Sequence, residues 1–251
     1  MLRGLLQLTW LEIKIFLREP LGAIGALVFP VLGYLVIGRL LGGRAPAPQE
    51  AREAMDSVRV VMPVVGALLI AISAVVSLVA IVAVYREGGI LKRLRATPLH
   101  PATILGAHVL VKLLFTSLTL ALLIAAGRRY YAPDTPGEIL RFAAALLFST
   151  CGVLSIGFLI ASLVPTARFA QPLAGVIFYP MIALSGLFFP IAALPPWLRA
   201  AARVMPMTYA VSLLQGVWRG DPLLSHLVDI GVIALFAAVF TALASRVFRW
   251  E

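Results

Sequence analysis

The sequence predicts an all-α membrane protein that crosses the bilayer several times. Hydrophobic residues make up 61% of the 251 residues and only 13% are charged, whereas soluble domains carry about 25% charged residues. Apolar runs of 18 or more residues recur along the chain, and a run of that length can cross a bilayer as a helix. These observations exclude a soluble globular enzyme and predict one polytopic helical domain over residues 1–251.

The N-terminal residues 2–19, LRGLLQLTWLEIKIFLRE, predict an amphipathic helix. At 100° per residue, one face carries Arg3, Gln7, Lys14 and Arg18. Another face carries Leu2, Leu5, Leu6, Ile13, Phe16 and Leu17. This pattern is typical of an interfacial helix that lies in the membrane surface. The alternative is a cleaved signal peptide, but the uncharged run after Pro20 is too long for a signal core and continues into a full span.

Six apolar runs predict transmembrane helices. They cover residues 21–41, 60–85, 104–126, 141–164, 169–189 and 227–248, and each is long enough for a membrane helix of ~20 residues. All four tryptophans lie near span ends or in connections, where indole rings prefer to lie at the membrane–water interface. Six is an even number, so both termini are expected on the same side.

The net charge of +10 does not predict nucleic-acid binding. The basic residues cluster beside apolar runs, where lipid headgroups are the nearest anions. They divide almost evenly between the two sides, so the positive-inside rule does not fix the orientation by counting. The densest basic cluster follows the second span, with Arg86, Lys92, Arg93 and Arg95. We therefore place that connection in the cytoplasm, with no nucleic acid as partner.

Few groups inside the spans could perform chemistry. No carboxylate lies in the middle of a predicted span, so a proton- or sodium-coupled transporter lacks its usual ionisable groups. Lys112 either reaches back to the interface or contacts substrate. His108, one turn earlier, is isolated and predicts no metal site. Gln171 and Tyr179, two turns apart in the fifth run, are the polar candidates for a substrate pathway.

Small and hydroxyl-bearing residues in the spans suit helix packing, with a path for an amphiphile as the alternative. They are Ser73, Ser77, Thr116, Thr119, Ser149, Thr150, Ser155, Ala234, Ala238 and Ala242. The sequence contains no Gly-x-x-x-x-Gly-Lys-[Ser/Thr] motif that would hold ATP and no Gly-x-Ser-x-Gly nucleophile motif. Its single cysteine, Cys151, excludes an intramolecular disulfide framework. We expect a protein that is not catalytic by itself and binds no cofactor directly.

The connection at residues 86–98, REGGILKRLRATP, predicts a short charged helix. Glu87 suits the positive end of the helix dipole, Arg93 and Arg95 suit the negative end, and Pro98 stops the helix. One apolar face is formed by Ile90, Leu91 and Leu94. That face could lie on lipid or dock into a groove on a partner protein.

Four further motifs occur in order along the chain. They are Arg18-Glu19-Pro20, Ser185-Gly186-Leu187-Phe188-Phe189-Pro190, Leu194-Pro195-Pro196-Trp197-Leu198 and Pro206-Met207-Thr208-Tyr209. Together with residues 86–98, they make the whole chain resemble the permease subunit of bacterial type-2 ATP-binding-cassette (ABC) exporters. The resemblance is to the drug-resistance and polyketide-efflux branch of these exporters.

This resemblance implies a multi-pass protein of the bacterial cytoplasmic membrane with both termini in the cytoplasm. Its partners would be two copies of a separately encoded ATPase, which holds ATP and Mg, and a second permease copy in a homodimer. Residues 86–98 would form the coupling helix. The implied ATPase contacts are Arg18, Glu87, Gly88, Leu91, Arg93 and Leu94.

The resemblance also implies that residues 190–225 form short re-entrant helices in the outer leaflet. Phe188, Phe189 and Pro190 would close the outer end of the path, the alternative being that the aromatic residues only anchor the interface. The implied substrate is an amphiphilic drug, antibiotic or lipid-like molecule. Because the spans lack a buried acid, a neutral or anionic amphiphile fits better than a permanent cation. The alternatives are a lipid-linked glycan exporter on the same scaffold and a non-transporting membrane partner of an ATPase.

Overall fold

The computed structural model describes residues 2–18, 27–36, 61–89, 101–127, 136–164, 166–188 and 190–247, and their regular secondary structure is helical throughout. We number the main helices α1 to α9 in chain order. They are α1 Leu2–Arg18, α2 Leu27–Val36, α3 Val61–Glu87, α4 Pro101–Gly127, α5 Pro136–Leu163, α6 Ala167–Ala183, α7 Pro196–Val204, α8 Pro206–Arg219 and α9 Leu227–Val247. Short 3₁₀ helices at Ile191–Ala193 and Leu223–His226 precede α7 and α9.

Within the described ranges, four helical segments are long and apolar enough to cross a membrane. They are Val61–Glu87, Gly106–Ala126, Gly137–Leu163 and Leu223–Val247. These segments coincide with the second, third, fourth and sixth predicted spans. The first and fifth predicted spans contain the shorter apolar helices Leu27–Val36 and Pro172–Ala183. Residues 21–26 and 37–41 of the first predicted span lie outside the described residues, and the total of six spans stays a prediction.

Helix α5 lies at the centre of the bundle. It packs against α3, α4, α8 and α9, and its contact with α9 is the most extensive. Its fully buried side chains include Phe142, Leu146 and Leu154. Because lipid tails are as apolar as these side chains, close van der Waals packing rather than exclusion of water favours such helix association in a bilayer.

Two glycines bring α5 close to its neighbours. A Cβ atom on Gly157 would overlap the backbone oxygen of Ala74 in α3, and a Cβ atom on Gly152 would overlap the side chain of Ile233 in α9. Ala74 lies in a π-helical segment, Ile72–Ser77, in the middle of α3. Such segments are rare and frequently occur at functional sites. The glycine at position 157 therefore allows α5 to pack directly on the irregular part of α3.

The fifth predicted span ends earlier than residue 189. Helix α6 contains Pro172 and Pro180 and ends at Ala183. The backbone N–H of Leu184 caps it by donating to the oxygen of Pro180 at 3.0 Å. Gly186 then reverses the chain with a φ of +83°, a conformation that glycine adopts without steric cost.

The region at residues 190–225 contains α7, α8 and the two short 3₁₀ helices. The hydroxyl of Thr208 donates to the backbone oxygen of Ala202 at 2.7 Å, and that of Tyr209 donates to the backbone oxygen of Arg203 at 2.7 Å. The Pro206-Met207-Thr208-Tyr209 motif therefore joins the start of α8 to the end of α7. Helix α8 packs on α5 and α9, whereas Trp197 of α7 is exposed.

Candidate functional site

The described residues contain the first part of the predicted ATPase-coupling interface, at the end of α3. Glu87 is the last residue of α3 and is exposed, and the backbone N–H of Gly88 caps the helix by donating to the oxygen of Val84 at 2.9 Å. Arg18 is exposed at the end of α1. The other predicted contacts, Leu91, Arg93 and Leu94, lie outside the described residues.

Arg86 connects the end of α3 to the end of α5. Its guanidinium donates to the backbone oxygen of Val164, and its second terminal nitrogen donates to the oxygen of Ala161 at 3.2 Å. The last carbonyl groups of a helix lack partners within that helix, and a cation there also interacts favourably with the helix dipole. Arg86 thus satisfies the C-terminal carbonyls of α5.

Tyr85, the residue before Arg86, connects α3 to α1. Its hydroxyl donates to Glu12 Oε1 at 2.6 Å, and Nδ1 of His108 in α4 lies 3.8 Å from Glu12 Oε2. One turn along α4, the Lys112 ammonium donates to the hydroxyl of Ser77. We call Glu12, Ser77, Tyr85, His108 and Lys112 the polar cluster. It joins α1, α3 and α4.

The polar cluster is shielded from the surroundings of the bundle. The exposed fractions are 12% for the Glu12 side chain, 3% for His108 and 7% for Lys112. Aromatic rings cover it: the Phe16 ring lies 6.0 Å from Lys112 Nζ, and the ring centroids of Tyr85 and His108 lie 5.7 Å apart. Ionisable groups in such surroundings are tolerated when they have polar partners. Here Glu12 contacts Tyr85 and His108, and Lys112 contacts Ser77.

Helices α1 and α4 run side by side in the same direction. Leu5 lies beside Gly106, Glu12 beside His108, and Phe16 beside Phe115, whose ring centroid is 4.1 Å from that of Phe16. The contacts therefore occur in the same order along both helices over about three turns of α1. The opposite side of α1 exposes apolar side chains together with Lys14 and Arg18. The apolar ones are Leu6, Trp10, Leu11, Ile15 and Leu17.

The sequence interpretation missed the polar cluster. Lys112 is buried in the single chain and donates to Ser77, a contact that neither of the two alternatives for Lys112 predicted. Glu12 lies outside the predicted spans, so the search for buried acids passed over it. A signal was present: at 100° per residue, Glu12 falls on the same side of α1 as Leu5 and Phe16. An acid within an apolar face predicts a buried partner.

Several of the hydroxyl groups in the spans serve packing. Thr150, Ser155 and Ser162 of α5 each donate to a backbone oxygen of their own helix at 2.6–2.7 Å, which removes the cost of burying a hydroxyl. The side-chain oxygens of Thr116 and Ser149 are buried without a hydrogen-bond partner among the described residues. Ala234, Ala238 and Ala242 are exposed on α9, so the predicted role of these alanines in packing is not realised within the described part of the chain.

Three of the residues predicted for a pathway or outer gate, Tyr179, Phe188 and Pro190, lie at the surface of the single chain. Tyr179 is 72% exposed and Phe188 is 60% exposed, and Pro190 is also exposed. Gln171 lies in α6, but its side chain is outside the described part of the structure, as is Phe189. The described residues therefore do not form a closed gate by themselves.

A second polar group lies where α8 meets α9. Asp229 Oδ2 accepts a hydrogen bond from the Ser212 hydroxyl at 2.9 Å and lies 2.8 Å from His226 Nδ1. The other ring nitrogen of His226 lies 3.5 Å from Asp221, and a Cβ atom on Gly216 would overlap this ring. Asp229 lies two residues inside the sixth predicted span, and the sequence did not predict these partners.

The fold defines a helical membrane protein, because the described part contains four segments of membrane-crossing length and composition. Comparison with protein families gives its class: residues 3–218 match the family described as ABC-2 type transporter. The chain belongs to the ABC-2 type transporter family. It is accordingly a membrane permease of an ABC transporter, as the motifs in the sequence predicted.

Two relatives show how far the similarity extends. A protein of Mycobacterium tuberculosis described as a probable doxorubicin resistance ABC transporter permease protein, DrrC, is 25% identical over 243 residues, which cover 91% of this chain and 83% of that protein. Nodulation protein J of Rhizobium leguminosarum bv. trifolii is 23% identical over 95 residues, which cover 38% of this chain and 36% of the relative. The chain thus matches about a third of the nodulation protein but most of the drug-resistance permease.

Proposed function

We propose that this protein is the transmembrane subunit of an exporter that moves an amphiphilic substrate out across the bacterial cytoplasmic membrane. The observation that carries this proposal is the similarity to a drug-resistance permease over 91% of the chain. ATP hydrolysis would occur on a separate ATPase subunit that holds ATP and Mg. Two copies of that ATPase would bind a homodimer of this chain, so the permease would not be an enzyme by itself.

The ATPase would contact a surface that begins at Glu87 and Gly88, continues through residues 89–98 as a coupling helix with Leu91, Arg93 and Leu94, and includes Arg18. Two described features support this assignment at the end of α3. Glu87 is exposed, and Arg86 links the base of this surface to α5. A force applied at residues 87–98 would therefore reach the centre of the bundle through rigid helices. Arg18 is also exposed, but α1 leads away from the Glu87 end of α3, since Glu12 lies beside Tyr85 and Phe16 lies beside Phe115. The packing of α1 therefore does not support the part of Arg18 in this contact.

The proposed topology is a single domain over residues 1–251 with six spans and both termini in the cytoplasm. Helix α1 would lie on the cytoplasmic side of the bilayer and tilt into it beside α4, because it runs alongside that helix. Its outer side combines exposed apolar side chains with Lys14 and Arg18, a composition also found in interfacial helices. Helices α7 and α8 would then lie in the outer leaflet as re-entrant elements. The exposed Trp197 is suited to that interface.

The substrate path would lie between two permease copies. Tyr179 and Phe188 are exposed on one chain and would line or close the path in the dimer, with Gln171, Phe189 and Pro190. The one buried carboxylate of the polar cluster, Glu12, is already hydrogen-bonded to Tyr85. A neutral or anionic amphiphile therefore remains the proposed substrate class in preference to a permanent cation.

Uptake into inside-out membrane vesicles tests this function. Vesicles that contain the permease and its ATPase should take up a fluorescent neutral amphiphile or doxorubicin when ATP is added, and should not do so with a non-hydrolysable ATP analogue. A quaternary ammonium amphiphile of the same size should be taken up more slowly. ATP-dependent uptake that equals that of vesicles lacking the permease, for all three probes, would contradict export of such amphiphiles.

A further inference from the structure

Glu12 is an acidic residue buried in the packing face of α1, and acids are rare at such positions in membrane proteins. It lies on the side of α1 that packs on α4, between Leu5 and Phe16, and its side chain is 12% exposed. Burying a carboxylate costs several kcal/mol before pairing, and an apolar residue would fit the same face. Its two carboxylate oxygens face groups from different helices, Tyr85 of α3 and His108 of α4.

We propose that Glu12 is a positioning residue that fixes α1 to the end of α3. Through this link, α1 would move together with the proposed coupling helix, residues 86–98. Helix α1 packs chiefly on α4, so the hydrogen bond from Tyr85 is the described polar link between α1 and α3. The role of this link in coupling to the ATPase rests on the proposed function. The docking of α1 by Glu12 does not depend on it.

The position of Tyr85 explains why this link would transmit movement. Tyr85 and Arg86 are consecutive residues in the last turn of α3, one bonded to α1 and the other to α5. The exposed Glu87 follows directly. A displacement of the segment after Glu87 would therefore act on α1 and α5 together. The Phe16 ring lies next to this link, 6.0 Å from Lys112 Nζ.

Cross-linking in membranes measures whether α1 is docked. In a Cys151→Ala background, cysteines at Leu5 and Gly106 should react rapidly with a short bis-maleimide, because Leu5 lies beside Gly106. Cysteines at Leu11 and Gly106 are the control pair, since Leu11 is exposed on the far side of α1. We expect Glu12→Gln and Tyr85→Phe each to slow the Leu5–Gly106 reaction about tenfold, the equivalent of one charge-assisted hydrogen bond.

The double variant Glu12→Gln/Tyr85→Phe should be no slower than the slower single variant, because both substitutions remove the same interaction. Glu138→Gln, which changes an exposed carboxylate at the start of α5, should leave the reaction unchanged. Tyr85→Phe keeps the ring and its packing and removes only the hydroxyl. A slower reaction in this variant therefore reports the lost hydrogen bond and not a failure to fold. An unchanged rate, or multiplicative effects of the two substitutions, would overturn the docking role of Glu12.

ATP hydrolysis by the purified complex of permease and ATPase tests whether Glu12 contributes to coupling. With the ATPase bound in equal amounts, Glu12→Gln should lower kcat for ATP hydrolysis about tenfold and leave KM for ATP unchanged, because the ATP site lies in the other subunit. Slowed cross-linking with unchanged kcat would overturn the coupling role. If no ATPase co-purifies with the wild-type chain, the proposed function fails, and the cross-linking result still decides whether Glu12 docks α1.

Discussion

The Arg86 side chain at the end of α3 donates a hydrogen bond to the backbone oxygen of Val164 at the end of α5. This bond joins the helix that leads into the proposed coupling segment to the helix at the centre of the bundle. It is a charged donor on a helix C-terminus, where both the unsatisfied carbonyls and the dipole favour a cation. Arg86 therefore stabilises the cytoplasmic end of the bundle in the proposed topology.

Replacing Arg86 should lower the stability of the permease. Arg86→Met keeps an unbranched chain but removes the donors to Ala161 and Val164, and hydrogen bonds from a charged donor contribute about 1.5–3 kcal/mol. We expect a lower midpoint of thermal unfolding in mild detergent. Arg246→Met, at an exposed position in the last turn of α9, is the control, and equal midpoints for the two variants would contradict the capping role.

A methyl group at position 157 should disturb the contact between α3 and α5. In Gly157→Ala, the new Cβ would overlap the backbone oxygen of Ala74, and the overpacking should cost about 1–3 kcal/mol. Gly231→Ala is the matched control, since no atom lies within 4 Å of the added carbon and alanine favours a helix by up to ~1 kcal/mol. Unfolding curves should move in opposite directions, and a loss in both variants would argue against the close approach at Gly157.

Alanine at Glu87 or Leu91 should remove the stimulation of ATP hydrolysis by substrate while the permease still inserts into the membrane. Glu87 is exposed, so its side chain fills no part of the buried core. The measurement is ATP hydrolysis by the reconstituted complex with and without doxorubicin, alongside the amount of permease in the membrane. Glu138→Ala is the control at another exposed acid. Full stimulation in both the Glu87 and Leu91 variants would exclude this surface as the ATPase contact.

Asp229 should stabilise the junction between α8 and α9. Asp229→Asn weakens the acceptor for Ser212 and the interaction with His226, so we expect a loss of about 1–3 kcal/mol. Asp221→Asn affects the same histidine from a more exposed position, where an ion pair contributes about 0–1 kcal/mol. The midpoint of thermal unfolding should therefore fall further in Asp229→Asn than in Asp221→Asn. An Asp221→Asn variant that is the less stable of the two would contradict this assignment.

Hydropathy predicted the long helices well because a continuous apolar run leaves few alternatives. The predicted spans 60–85 and 141–164 coincide closely with Val61–Glu87 and Gly137–Leu163. The helix within the fifth predicted span ends before residue 189, because a hydropathy run does not register the turn at Gly186 that follows α6. The π-helical segment Ile72–Ser77 also has no hydropathy signal, since it is a local change in the backbone hydrogen-bond pattern.

The sequence predicted a structural feature only where its residues form a continuous motif. The motif Pro206-Met207-Thr208-Tyr209 was recognised, and its hydroxyl groups prove to connect α8 to α7. The polar cluster was missed because it forms from residues far apart in the chain: Glu12 and Tyr85 are 73 positions apart. Periodicity indicates the face on which Glu12 lies, but it does not indicate which helix receives that face.

The proposed function requires that this chain binds a separate ATPase as the permease of an ABC transporter. The decisive measurement is to tag the protein in its native membrane, solubilise it gently and identify what co-purifies. We predict a soluble ATPase with a phosphate-binding Gly-x-x-x-x-Gly-Lys-[Ser/Thr] loop in a near one-to-one ratio, which is lost when Glu87 and Leu91 are both changed to alanine. Repeated recovery of the permease alone in mild detergent would contradict the account.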